Sequence, residues 1–121
     1  MTLTLKIYET DIKQPCESFL YSLMNMDKLI YLRLNSGDLI IGEGKAKRRV
    51  RCCPKGTSDG IVIIPKPSGH LVIFVEYKKA KGGKQTREQA AFDKKVCGMG
   101  FEYWLVSDAD EFMHLIGEVI S

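Results

Sequence analysis

Two short apolar runs joined by a tight turn constrain this chain more than any other feature. Gly60-Ile61-Val62-Ile63-Ile64 is rich in β-branched residues, Pro65-Lys66-Pro67-Ser68-Gly69 closes it, and Leu71-Val72-Ile73-Phe74-Val75 follows. Branched and aromatic side chains pack well on a pleated backbone while proline and glycine interrupt it, so the pattern predicts two strands in succession. Continuous apolar runs of this kind suit central strands buried on both faces. A polar loop with Gly82-Gly83 comes next, then a helix over 85–97 with Ala90, Ala91 and Val96 to pack, ended by Gly98 and Gly100. Phe101 to Val106 reads as a further strand, and a strand, helix and strand in that order form a βαβ crossover.

The flanks supply the remaining layers. Pro15 suits the first turn of a helix, and Cys16, Phe19, Leu20, Leu23 and Met24 recur at spacings of three and four, which predicts a helix over 14–26. Leu29 to Leu34 and Leu39 to Ile41 are strand-like and are separated by Asn35-Ser36-Gly37-Asp38, so a hairpin is expected there. Ser107-Asp108 can cap a closing helix that packs through Phe112, Leu115, Ile116, Val119 and Ile120. The expectation is one α/β domain, residues 1–121, with a mixed central sheet flanked by helices.

A chain that is 45% hydrophobic and 27% charged is neither collagen-like nor intrinsically disordered. No apolar run approaches the roughly 20 residues of a membrane span, and Met1-Thr2-Leu3-Thr4 does not open like a secretion signal, so a cytoplasmic protein without a membrane partner is expected. Cys16, Cys52, Cys53 and Cys97 lack metal-ligand spacing and read as reduced thiols. His70 and His114 read as structural or surface residues, Met24, Met26, Met99 and Met113 as core fillers, and Gly83-Lys84 lacks the rest of a P-loop.

Charge is distributed far less evenly than the net +3 suggests. Residues 1–44 carry −2, residues 45–97 carry +10 and residues 98–121 carry −5. Two clusters supply the positive charge: Lys45, Lys47, Arg48, Arg49, Arg51 and Lys55, then Lys78, Lys79, Lys81, Lys84 and Arg87. Such a segment can be a solvated face, or it can bind a polyanion, of which a nucleic-acid backbone is the obvious example.

Three polar residues interrupt the apolar strands: Asp59 before the first, and Glu76 and Lys78 at the end of the second. Side chains two apart on a strand share a face, so Glu76 and Lys78 point together while Tyr77 points away. If the two strands are neighbours, Asp59 reaches the same place. Two converging carboxylates can bind a hard divalent cation through oxygen, and an adjacent lysine can orient an attacking water or stabilise charge on phosphorus. An ordinary reading makes Asp59 a turn cap, and Glu76 with Lys78 a charged strand end.

The surroundings favour the chemical reading. Lys55-Gly56-Thr57-Ser58-Asp59-Gly60-Ile61-Val62-Ile63, then Gly69 through Val75-Glu76-Tyr77-Lys78, then Gly83-Lys84-Gln85-Thr86-Arg87-Glu88-Gln89 resembles the virus-type replication-repair nuclease (VRR-Nuc) domain, a branch of the PD-(D/E)XK nucleases. Its members show a G-x-P-D turn, an E-x-K strand end, a basic glycine-containing loop and a helix opening with glutamine. Asp59, Glu76, Lys78 and Gln89 occupy those places, and Gly98 to Ser107 is similar to the family's glycine-led strand. Ser58 stands where the family has proline, and Tyr77 where a small or β-branched residue is commoner; neither change removes a chemical group.

The resemblance implies a restriction-endonuclease-like core and a magnesium- or manganese-dependent endonuclease. By that resemblance Asp59, Glu76 and the Tyr77 carbonyl hold the metal, and Lys78 activates water. Gln89 contacts the scissile phosphate or steadies Lys78, and Glu17 on the first helix completes the acidic shell, with Glu9 the competing candidate. Lys45, Lys47, Arg48, Arg49, Arg51, Lys55, Lys79, Lys81, Lys84 and Arg87 are the expected DNA contacts. Stand-alone members resemble phage-encoded homodimers that resolve four-way (Holliday) junctions, so a phage or prophage protein acting on branched DNA is expected. A flap or nicking endonuclease with the same site, or a DNA-binding module without catalysis, are the alternatives.

Overall fold

The computed structural model describes residues 7–80 and 82–121. Helix α1 (Glu9–Asn25) is followed by strands β1 (Ile30–Arg33) and β2 (Asp38–Ile41), a short 3-10 turn (Gly44–Ala46), and strands β3 (Arg48–Arg51), β4 (Gly60–Lys66) and β5 (Gly69–Tyr77). Helix α2 (Arg87–Gly98), strand β6 (Glu102–Val106) and helix α3 (Ala109–Ile120) complete the order. The main sheet runs β1-β4-β5-β6, with β1/β4 and β4/β5 antiparallel and β5/β6 parallel, so the expected crossover through α2 is present. The fold is mixed α/β with helices on both faces of a mixed sheet.

Period-two alternation sorts the side chains. Tyr31, Val62, Ile64, Ile73, Val75 and Tyr77 face α1 and α3, where they meet Ile12, Cys16, Leu20, Leu23, Phe112 and Ile116 in one buried core. Phe112 stacks edge-on against Tyr77 and Trp104, with centroids 6.4 and 6.1 Å apart. Removing its ring should cost about 3–5 kcal/mol. Phe74 presents the opposite face to Phe92 of α2, 5.5 Å away. That second face is only half-buried at Ile61, Ile63 and Val72, so the central strands are not sealed on both sides as their apolar runs implied.

Three local expectations are corrected. Residues 29–34 and 39–41 do not pair as a hairpin; β1 pairs with β4 and β2 pairs with β3 in a separate two-stranded ribbon. Joining β4 lets Tyr31 fill the core at 1% exposure, a burial that a local hairpin would not provide. Helix α1 begins at Glu9 rather than near 14, because Asp11 accepts a hydrogen bond from the Tyr8 N–H at 2.8 Å and so caps an earlier first turn. Pro15 consequently sits inside the helix. On α2, Ala90 and Ala91 are exposed, and Phe92 and Val96 do the packing.

Candidate metal centre at the strand ends

The register of the central hairpin builds the site. Gly60 pairs with Val75, which places Asp59, just before β4, beside Glu76, near the end of β5. Backbone then locks the two acids together: the Asp59 N–H donates to Glu76 Oε2 at 3.1 Å, and the Tyr77 N–H donates to Asp59 Oδ2 at 2.8 Å. Gly60 has to be glycine for this packing, since a Cβ there would lie 2.5 Å from the Tyr31 ring. Gly56, at φ +93°, seats the preceding loop against α2, where a Cβ would lie 2.5 Å from the Glu88 backbone.

Gln89 ties α2 to the same point. Thr86 and Gln89 form a capping box: the Gln89 N–H donates to Thr86 Oγ1 at 3.1 Å and the Thr86 N–H to Gln89 Oε1 at 2.8 Å. The same Oε1 accepts from Lys78 Nζ at 2.8 Å, while Gln89 Nε2 donates to Glu76 Oε1. One amide therefore caps the helix, orients the lysine and holds the carboxylate. Thr86-Arg87-Glu88-Gln89 carried this signal, because a Thr three residues before a Gln is a helix-start pattern; the expected start at 85 passed over it.

Glu76 is 2% exposed, and its carboxyl is pushed up to about 7, first by burial, then by the nearby Asp59 charge, with Lys78 acting in the opposite sense. Lys78 Nζ lies 3.7 Å from Glu76 Oε1. Carboxylate oxygens of Glu9, Asp59 and Glu76 all lie within 4.8 Å of one another, a cluster that could hold a metal ion. It is an all-oxygen donor set suited to a hard cation, and a cation there would relieve the repulsion that Asp59 imposes on the buried Glu76.

The helical acid in the cluster is Glu9, not Glu17. Glu17 accepts from the Tyr31 hydroxyl at 2.6 Å and lies 3.4 Å from Arg33, while Tyr77 donates its hydroxyl to Tyr31 at 3.0 Å. That network occupies the α1 face of the sheet, whereas Glu76 projects from the other. Tyr77, fully buried, thus points its ring away from the site, as expected, and only its backbone is near the carboxylates. Burial and the Glu17 contact push the Tyr31 hydroxyl well above the usual phenol range.

The basic residues divide into two groups. Lys45, Lys47, Arg48, Arg49 and Arg51 sit on or beside the β2–β3 ribbon, and Lys55 pairs with Glu88 at 3.5 Å. Lys78, Lys79 and Lys84 line a pocket of about 210 Å³ together with Glu9, Gly82 and Gly83. Arg87 opens α2, and Lys81 lies outside the described residues. Among the described residues no helix is long and apolar enough to cross a membrane.

No family model, curated protein or solved structure matches the chain. The case for a function rests on the site.

Proposed function

We propose that this chain is a metal-dependent, structure-specific DNA endonuclease with a PD-(D/E)XK core of the VRR-Nuc type. The observation that carries the reading is the convergence of Asp59, Glu76 and Lys78 with Gln89 and Glu9 at one end of the sheet. These residues come from four separate stretches of chain, and hydrogen bonds tie Asp59, Glu76, Lys78 and Gln89 to one another, with the Glu9 carboxylate close by.

Glu9, Asp59 and Glu76, with the Tyr77 carbonyl, would hold magnesium or manganese. When bound, the metal supplies Lewis acidity at the phosphate oxygens and offsets their charge. Gln89 fixes the Lys78 ammonium by the 2.8 Å bond to Oε1, so that Lys78 orients the attacking water and stabilises charge developing on the phosphate. In-line attack forms the water-oxygen to phosphorus bond and breaks the bond from phosphorus to O3′, leaving a 5′-phosphate and a 3′-hydroxyl. The lysines of the adjoining pocket and the basic ribbon draw the DNA backbone toward this end of the sheet.

For the DNA geometry we carry the resolvase reading: a homodimer with two-fold symmetry brings two such sites to a four-way junction and nicks opposite strands. The test is cleavage of matched four-way junction, flap, nicked and linear duplex DNA with magnesium or manganese, with Glu76→Ala as control. Paired symmetric nicks at the junction support the resolvase. Cutting confined to flaps removes the junction role and keeps the site, and absence of cleavage on all four substrates with both metals overturns the nuclease.

A further inference from the structure

Strands β2 and β3 pair with each other and with no strand of the main sheet. Every side chain on them is exposed except Val50, which is half-buried. Isolated two-stranded ribbons gain little stability alone, yet this one is anchored at its base. Gly37 N–H donates to Cys53 O at 2.8 Å, Cys52 N–H to Gly37 O at 3.0 Å, and Cys53 N–H to Asn35 O at 2.8 Å. The anchor lies at the functional end of the sheet, because the Leu34 N–H donates to Asp59 O at 2.8 Å.

Register assigns the ribbon two unlike faces. Leu39 pairs with Val50 and Ile41 with Arg48, while Asp38 pairs with Arg51 and Ile40 with Arg49. Cross-strand partners share a face, so one face is mostly apolar and includes the half-buried Val50. The other presents Arg49, Arg51 and Ile40, the last 59% exposed, with Asp38 3.6 Å from Arg49. Lys45 and Lys47 extend the positive charge into the tip.

We propose that the β2–β3 ribbon is a groove-reading arm that enters the major groove of duplex DNA with its Arg49, Arg51 and Ile40 face toward the base edges. Strands about 4.8 Å apart, with their side chains, match a groove about 12 Å wide and not one about 6 Å wide. Arginine is suited to the paired acceptors of guanine, and an exposed isoleucine to the methyl group of thymine. Lys45 and Lys47 at the tip then lie against the flanking phosphates, and over residues 38–51 five cations against Asp38 and Glu43 give the ribbon charge complementarity to DNA. The choice of DNA as occupant rests on the nuclease reading; the arm itself acts in binding and does not depend on cleavage.

The experiment measures binding of the full chain, without divalent metal, to a short B-form DNA duplex and to an RNA duplex of the same sequence. The narrow, deep major groove of A-form RNA does not admit the ribbon. Arg49→Ala with Arg51→Ala should weaken DNA binding about tenfold or more and RNA binding by less than about twofold. The wild-type chain should protect guanine N7 from methylation on the DNA duplex, and the double variant should not.

Ile40→Ser alters an exposed side chain and leaves both arginines, so it controls for folding; it should weaken DNA binding roughly threefold with an unchanged salt slope. Equal losses on DNA and RNA, or no guanine protection by the wild-type chain, overturn the arm. Protection without cleavage under magnesium or manganese upholds the arm and removes the nuclease; cleavage without protection does the reverse.

Discussion

The carboxylate cluster at the strand ends and the β2–β3 ribbon both concentrate charged side chains, and they use them in opposite ways. In the cluster, Glu76 is 2% exposed, tied to Asp59 and Gln89, and its carboxyl is shifted up to about 7, first by burial. On the ribbon, Arg49 is 74% exposed and its contact to Asp38, at 3.6 Å, is open to solvent. A buried charge is expensive, so each neighbour alters its proton affinity and chemistry. An exposed charge is screened, and it acts mainly by summing with others over a Debye length of about 8–10 Å. Burial, more than the number of charges, separates the two regions: in one, neighbours shift the proton affinity of a single carboxyl, and in the other, exposed charges only add to one another.

The sharpest break between the two regions should come in turnover. Glu76→Ala is expected to lower cleavage at least about a thousandfold while changing DNA affinity less than about threefold, whereas Arg48→Ala with Arg49→Ala should do the opposite. Cleavage rates at saturating DNA, set beside anisotropy titrations over a range of salt, check this. A Lys45→Ala with Lys47→Ala variant, at the tip of the ribbon, should flatten the log–log salt slope by about 1.8.

Next in size is Gln89→Ala. It removes the amide that holds Glu76 and Lys78 and half of the Thr86 capping box, so cleavage should fall about tenfold to a hundredfold. Helix capping loss should add about 1 kcal/mol of destabilisation, read from a urea melt.

A third prediction concerns pH. The Glu76 carboxyl titrates higher folded than unfolded, so the folded state binds more protons between about 4.5 and 7. Stability from this group is fully present below the unfolded value and is lost as pH rises toward 7, by about 3 kcal/mol in the metal-free protein. Urea melts across that range should show the decline, magnesium should reduce it, and Glu76→Gln should flatten it. A flat profile in the wild-type chain would place Glu76 in a wetter setting.

The smallest effect belongs to the ribbon. Asp38→Ala removes one partner of an exposed ion pair and should change stability by less than about 0.5 kcal/mol. It should tighten DNA binding slightly, since a negative charge leaves the arm; a clear loss of stability would mean that the pair organises the ribbon.

Much of the sheet was legible because its signals are local. The β-branched run at 60–64, the turn through Pro65 and Gly69, and the apolar run at 71–75 fix strand identity within a few residues, and β4 and β5 form accordingly. The same alternation put Glu76 and Lys78 on one face and Tyr77 on the other. The partners of residues 29–41 were not legible: a turn sequence at 35–38 reports that the chain bends, and the burial of Tyr31 against Val62 and Val75 decides which strand β1 joins.

The sequence by itself determined the identity of β4, β5 and β6, the crossover through α2, the proximity of Glu76 to Lys78, and the uneven spread of charge. All of these follow from side-chain period and covalent neighbourhood. Only the tertiary structure decided which helical acid reaches Asp59. Glu9 and Glu17 lie about 12 Å apart along one helix axis, and the earlier cap at Tyr8 and Asp11, with the docking of α1 on the core, brings Glu9 to the carboxylates and leaves Glu17 to Tyr31 and Arg33. Likewise the basic segment at 48–51 became an exposed strand of a ribbon because the main sheet gave β1 its place beside β4. Competition among distant segments for one buried surface is settled by packing, and no stretch of a few residues records its outcome.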